Sequence, residues 1–115
     1  MSKIGDQIRS NTELERTKIS VEEWGQDGEP LVLFATPLLA GEFSRLQKKH
    51  KDFINNPSVD GLVDLIIMKA QDAEGEKVFD IEDRPILLRQ PIGIVTSVAT
   101  ALMGNLFDLD ETAKN

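Results

Sequence analysis

The stretch "DAEGEKVFDIED", from Asp72 to Asp83, carries acidic residues at nearly the spacing of a calcium-binding loop. A twelve-residue loop of that kind places oxygen ligands at positions 1, 3, 5, 7 and 9, a glycine at position 6 and a glutamate at position 12. Here position 6 is Lys77, whose charge opposes a cation, and Gly75 comes two places early. We therefore interpret the stretch as a glycine turn followed by an Asp-capped helix start.

Other groupings that carry chemistry are missing from the sequence. The chain has no cysteine and a single histidine, His50, which we interpret as a surface residue because no second histidine is present to share a metal. Its glycines are scattered at turns and form no nucleophile elbow, P-loop or dinucleotide fingerprint. We predict a protein-binding protein rather than an enzyme, with no catalytic residue, no metal and no cofactor.

Length and charge narrow the class of protein further. A chain of 115 residues suits one domain, and a net charge of -7 disfavours binding to a phosphate backbone. No signal-peptide core is present, and no apolar run approaches the roughly 20 residues of a membrane span. We expect a cytoplasmic protein that binds neither nucleic acid nor membrane. One basic cluster departs from the acidic balance, and we interpret it as a solvated helix end: Arg45, Lys48, Lys49, His50 and Lys51.

The hydrophobic pattern predicts an α+β fold, mostly α, with a short N-terminal β-hairpin followed by about four helices in a single small domain. Two β-rich runs, "RTKISVEEWG" and "LVLFAT", flank the turn sequence "GQDGEP". The first helix should begin with Thr36 as its cap and Pro37 at its first position. The others should lie in "VDGLVDLIIMKAQ", capped by Ser58 or Asp60, in "IEDRPILLRQ" and in "IGIVTSVATALMGNLF".

The ends of the chain lack this patterning. We predict a flexible N-terminal arm at residues 1–14, the hairpin-plus-helices domain at 15–107 and a disordered acidic tail at 108–115.

Two of the predicted helices are apolar beyond a single stripe. The one near residues 59–70 is apolar around most of its circumference, and no charge occurs between Pro91 and Phe107. Such helices are either buried or in contact with a partner. A partner-binding surface would comprise Ile66, Ile67, Ile92, Val95, Val98, Leu102 and Met103, with Trp24 as a further candidate hot spot. The alternative is that these residues form the core that a small domain needs.

Four segments together resemble the tail assembly chaperones of long-tailed, siphovirus-type (lambda-like) bacteriophages. They are "ISVEEWG", "TPLLAGEFSRL", "QDAEGEKVFDIEDRPILL" and the charge-poor "IGIVTSVATALM". In that family a hairpin precedes several helices, and a segment of the form acid-x-x-Gly-x-x-hydrophobic-Phe-x-x-x-Asp leads into the last two. The matching residues are Asp72, Gly75, Val78, Phe79 and Asp83.

The resemblance implies a non-structural chaperone of phage tail morphogenesis. Such a protein binds the tape measure protein, keeps it soluble and helps recruit subunits of the tail tube, the major tail protein. It implies a homo-oligomer, a longer frameshifted form of the same chain, and a place in the cytoplasm of the infected or lysogenic host rather than in the virion. The alternative function is a small acidic regulatory or adaptor module that uses the Asp72–Asp83 loop for a divalent cation.

Overall fold

The computed structural model describes residues 3–10, 16–53 and 55–103 of the chain. The elements are α1 (Lys3–Ser10), β1 (Thr17–Gln26), β2 (Glu29–Ala35), α2 (Ala40–Lys49), α3 (Val59–Lys69), a 3₁₀ turn (Ile81–Asp83), α4 (Arg84–Leu88) and α5 (Ile92–Met103). A hairpin followed by helices confirms the predicted α+β class. The predicted arm contains an eight-residue helix, α1, whereas the predicted tail at 108–115 lies outside the described residues.

The hairpin closes through a two-residue turn that the sequence encodes directly. Asp27 and Gly28 both have positive φ, 55° and 79°, which is the type I′ geometry that "DG" favours between twisted strands. β1 and β2 pair antiparallel from Thr17 opposite Ala35 to Val21 opposite Leu31. A bulge then follows in β1, where a Cβ on Gly25 would lie only 1.8 Å from the carbonyl oxygen of Glu29. Only glycine fits there without moving the backbone.

The outer edge of β2 is covered by the segment that follows α3. Phe34 donates its N–H to the carbonyl of Gln71 and accepts from the N–H of Gln71, both at 2.8 Å. Gln71 in turn pairs with Lys77, which gives β2 a narrow extension. The guanidinium of Arg16 lies 4.7 Å above the Phe34 ring and donates to the carbonyl of Ala73.

The core lies between the hairpin and the α3–α5 pair. α3 is its centre, since Val63, Leu65 and Ile66 are fully buried, and α5 packs along it. The buried apolar residues are Val21, Leu33, Ala35, Leu46, Phe53, Leu62, Val63, Leu65, Ile66, Ile67, Ala70, Leu87, Val95, Val98, Ala99, Leu102 and Met103. The predicted cap of α3 is confirmed, because the Ser58 hydroxyl accepts from the N–H of Gly61 at 3.0 Å.

The predicted start of α2 is wrong, because the helix begins later in the chain. Thr36 does not cap it; the helix begins at Ala40, and the Glu42 carboxylate accepts from the N–H of Leu39 at 2.8 Å. The hydroxyl of Thr36 instead accepts a hydrogen bond from Lys69 at 3.0 Å. The hydroxyl of Thr36 thus bonds to a residue distant in sequence instead of capping the helix that follows it.

The entry to α4 follows its sequence signals. Asp80 accepts from the N–H of Glu82 at 2.8 Å, and Asp83 accepts from the N–H of Asp80 at 2.9 Å. Pro85 lies in the first turn of α4, where its missing N–H costs nothing. Within the described ranges, no helix has the length and apolar character needed to cross a membrane.

Candidate contact surfaces

The apolar residues predicted to bind a partner fall largely inside the protein. Six of them pack in the core between α3 and α5: Ile66, Ile67, Val95, Val98, Leu102 and Met103. Their side chains meet other parts of the same chain, as in the alternative interpretation. Burial of these six leaves Ile92 as the exposed member of the predicted helix residues.

Trp24 is half-buried and lies within β1. Its ring meets that of Phe79 edge-on at 5.9 Å, and its Nε1 donates to the Gln90 side chain at 2.8 Å. The bulge in β1 breaks the strand alternation, so that Trp24 rather than Glu23 turns toward the helices. Trp24 therefore connects the hairpin to the residues just after α4.

Three exposed apolar residues, Ile86, Leu88 and Ile92, lie at the junction of α4 and α5, called here the α4–α5 corner, and Ile92 is one of the residues predicted to bind a partner. Their exposed fractions are 58%, 43% and 57%. Leu87 is buried, and its neighbours Ile86 and Leu88 are turned by about 100° to either side of it, where both are exposed. The sequence analysis did not identify Ile86 and Leu88 as contact residues. The available signal was the unbroken apolar run, which in so short a helix cannot be buried on every side.

A groove of about 460 Å³ runs between β1 and α5. Its floor and walls include Ile19 and Val21 from the strand and, from the helix, Gly93, Ser97 and Ala101 at a spacing of four residues. The groove lies on the β1 side of the sheet, since no residue of β2 lines it.

Asp64, on α3, is in contact with three side chains from the end of α2 and the start of α4. His50 Nε2 lies 2.7 Å and Lys49 Nζ 3.1 Å from its Oδ2, and Arg84 donates to its Oδ1 at 3.0 Å. Arg84 also binds Asp60 at 2.8 Å. Burial acts to raise the pKa of Asp64, but the hydrogen bonds from His50 and Lys49 and the charges of Arg84 and Lys49 outweigh it, so the pKa lies below its ordinary 3.8.

This Asp64 cluster corrects the prediction for the basic run. His50 is not a surface residue, because its side chain is largely buried against Asp64, and Lys49 is committed to the same carboxylate. Arg45, Lys48 and Lys51 are exposed, as a solvated helix end predicts.

Lys69 is a buried cation that sequence reasoning missed. Its side chain is 3% exposed, and its ammonium donates to Glu42 at 2.9 Å, to Thr36 at 3.0 Å and to the carbonyl of Pro37 at 3.3 Å. Three acceptors match the three N–H groups of an ammonium. The cluster fixes the connection between β2 and α2 onto the end of α3, and it has a structural role.

The Asp72–Asp83 loop does not have the geometry of a cation site. The Asp72 Oδ1 accepts from the N–H groups of Glu74 and Glu76, and Gly75 supplies the predicted positive φ, 85°. These bonds make Asp72 the internal cap of a tight turn. Nowhere in the described ranges do three metal-ligating side chains come together.

Comparison with known proteins gives a relation in fold. No protein-family model and no curated protein matches the sequence. The chain is similar to the tail assembly chaperone of bacteriophage HK97. The match covers 90% of this chain and 93% of the HK97 chain, with a TM-score of 0.58 and 14% sequence identity. At that identity the likeness concerns the fold.

The HK97 chaperone fold confirms the resemblance that the four sequence segments indicated. Those segments form β1, the start of α2, the 71–88 region and α5. Because the match spans nearly the whole of both chains, it includes the hairpin together with the helices rather than a common helical pair.

Proposed function

We propose that this protein is a tail assembly chaperone that binds the tape measure protein of a long-tailed phage, keeps it soluble and helps recruit tail tube subunits. The observation that carries the proposal is the likeness in fold to the HK97 chaperone over 90% of the chain. The family resemblance of the four sequence segments supports the same role.

The physical requirements of this role fit the surface of the chain. A chaperone for a long apolar helical polypeptide needs exposed apolar contacts together with enough charge to stay dissolved. The α4–α5 corner offers the apolar contacts, and the net charge of -7 supplies the repulsion. Many copies along one client would repeat this small contact, so that weak individual binding gives strong total binding.

The proposal includes the wider set of partners that the resemblance implies. The chaperone associates with itself, with the major tail protein and with a longer frameshifted form of the same chain. It works in the cytoplasm of the infected or lysogenic host and leaves before the virion is complete.

Co-expression with a tape measure segment tests the proposal. Alone, a long coiled segment of such a protein aggregates; with the wild-type chaperone it should appear in the soluble fraction and co-purify. The variant Ile86→Asp/Ile92→Asp should lose this effect because it places two charges on the apolar corner. The matched control, Ile4→Asp/Val59→Asp, adds the same charges at exposed apolar positions outside the corner and should retain it.

The two parts of the proposal fail differently. A tape measure segment that stays insoluble with the wild-type protein would overturn the chaperone function. A segment that both variants solubilise as well as the wild type would leave the function standing and remove the corner as its binding site. Circular dichroism of each variant checks that the fold is intact.

A further inference from the structure

The outer edge of β1 is open and its backbone groups face outward. The described sheet has two strands, so β1 has a second edge that no strand of these ranges pairs with. The backbone groups of Phe34 point away from β1, toward Gln71. In an antiparallel ladder, two residues opposite each other behave alike: both direct their backbone N–H and C=O groups inward, toward the paired strand, or both direct them outward, away from it. Lys18, opposite Phe34, therefore presents its N–H and C=O at the open edge, and so does Ser20, two residues on.

The side chains along this edge are self-complementary. Lys18, Ser20 and Glu22 lie on the exposed face, while Ile19 and Val21 face the helices. Neither Lys18 nor Glu22 has an ion pair among the described residues. Natural proteins often guard a strand edge with charged side chains, and like charges on two copies repel each other. Here the two charges are opposite and equally spaced about Ser20.

We propose that two copies of this protein pair β1 against β1, antiparallel, about a two-fold axis at Ser20. In that register Ser20 lies opposite the partner's Ser20, and Lys18 lies opposite the partner's Glu22, twice over. The two hairpins then form one four-stranded antiparallel sheet across the axis. This is the isologous contact that a two-fold axis requires.

The backbone agrees with the same register. Ser20 of each copy has outward-facing N–H and C=O groups, so the central pair exchanges two hydrogen bonds. A shift by one residue would bring an outward-facing position opposite an inward-facing one and lose these bonds. The charge pattern and the direction of the backbone hydrogen-bonding groups therefore each favour the register with Ser20 opposite Ser20.

The helix-facing side of the new sheet also has room for a second strand. In this register Ile19 lies opposite the partner's Val21, beside the groove between β1 and α5. The helix presents Gly93, Ser97 and Ala101 to that groove and no charged residue. On the α5 side the added strand thus meets uncharged side chains, and Glu23 of β1 also lines the groove.

This inference rests on the self-association included in the proposed function and names its surface. It does not depend on the tape measure protein or on the α4–α5 corner. Its test can therefore be made on the purified protein alone.

Charge reversal with rescue tests the pairing. Lys18→Glu sets like charges against Glu22 twice per dimer, and Glu22→Lys does the same with Lys18; each should raise the dissociation constant about tenfold or more. The double variant Lys18→Glu/Glu22→Lys restores both pairs and should recover wild-type association. Lys51→Glu and Glu74→Lys make the same charge changes at exposed sites elsewhere and should have no effect. Sedimentation velocity over a concentration series measures the wild type and every variant.

A second variant tests the backbone without changing charge. Ser20→Pro removes an N–H that faces outward, so the monomer keeps its ladder, but the dimer loses both central hydrogen bonds. It should dissociate while its circular dichroism spectrum stays that of the wild type.

Each outcome has a distinct meaning. Loss of association in the single variants with recovery in the double variant supports the register. A wild type that associates no better than any of the variants overturns the β1 contact but leaves self-association standing. A wild type that stays monomeric at every concentration overturns both, and singles that dissociate without rescue overturn the Lys18–Glu22 pairing.

Discussion

Asp64 and Lys69 lie about one and a half turns apart on α3, and each holds a different part of the chain against that helix. Asp64 binds side chains from the end of α2 and the start of α4, whereas Lys69 binds the connection that leads into α2. Each charge has its partners within hydrogen-bond distance, which is what makes burial of an ion tolerable. These two residues thus supply polar contacts that hold the flanking segments on a largely apolar helix.

Asp64→Asn should lower the free energy of unfolding at pH 7 by about 2–3 kcal/mol, because His50 and Arg84 lose a nearly buried anion. Asp60→Asn is the matched control: its side chain is 63% exposed against 10% for Asp64, and we expect a loss below about 1 kcal/mol. Denaturant unfolding of the three proteins gives both values. Equal losses would contradict the importance of burial at Asp64.

The same carboxylate should make stability depend on acid. The pKa of Asp64 is lowered by folding, so its contribution is complete above its ordinary value of 3.8 and is lost as the pH falls through the folded-state value. The difference in unfolding free energy between the wild type and Asp64→Asn should therefore shrink toward zero in strong acid. Unfolding curves at a series of pH values measure it, and a constant difference would contradict the assignment.

Lys69→Met should cost about 3 kcal/mol, since it leaves the Glu42 carboxylate without its cation in a site that solvent barely reaches. Lys69→Met/Glu42→Gln removes both charges and should recover part of the loss. A double-mutant cycle with Glu42→Gln measures the coupling between the two side chains. Additive losses would mean that the pair does not interact.

At the scale of elements, two glycines have opposite roles. Gly25→Ala should destabilise the protein by about 2 kcal/mol or more, because its Cβ would collide with the backbone of Glu29 in the hairpin. Gly41→Ala should stabilise it by about 0.5–1 kcal/mol, since a Cβ on Gly41 meets nothing within 4 Å in an exposed turn of α2. Thermal unfolding followed by circular dichroism distinguishes them, and shifts of the same sign would refute the contrast.

Local signals predicted the elements well wherever the interacting residues are close together in sequence. The "DG" turn, the Ser58 cap, the Gly75 turn and Pro85 in the first turn of α4 all depend on neighbours in sequence. The start of α2 was wrong because Thr36 binds Lys69, 33 positions away. The β1 bulge likewise depends on how the two strands meet, which no pattern within β1 specifies.

The contact surface was harder to predict than the fold for a similar reason. An apolar residue on a helix is equally suited to a core and to a partner, and only packing decides between them. Ile66 of α3 and Val98 of α5 are buried in the shared core, while Ile92 at the start of α5 is left outside. The sequence shows which residues are apolar, but it does not show which of them other parts of the chain cover.

For the molecule as a whole, the predicted domain at 15–107 should unfold as one unit. Trp24 ties the hairpin to the helices through Phe79 and Gln90, and it is the one tryptophan in the chain. Its fluorescence therefore follows docking of the hairpin, while far-ultraviolet circular dichroism follows the helices. The two transitions should coincide in denaturant.

The opposite result is easily recognised. A fluorescence change at lower denaturant than the loss of helix would mean that the hairpin undocks by itself and that two units are present. Gln90→Leu, which removes the acceptor of the indole N–H, should lower the common midpoint without separating the two transitions.

The position of His50 has a practical consequence. It is the chain's one histidine. It lies at the end of α2 and contacts Asp64 of α3, which also binds Arg84 of α4, so it marks the junction of the three helices. In a proton NMR spectrum its imidazole Cε1–H gives an isolated line in a region with few other signals. That line reports on the junction in unlabelled protein, at a site that indole fluorescence does not sample.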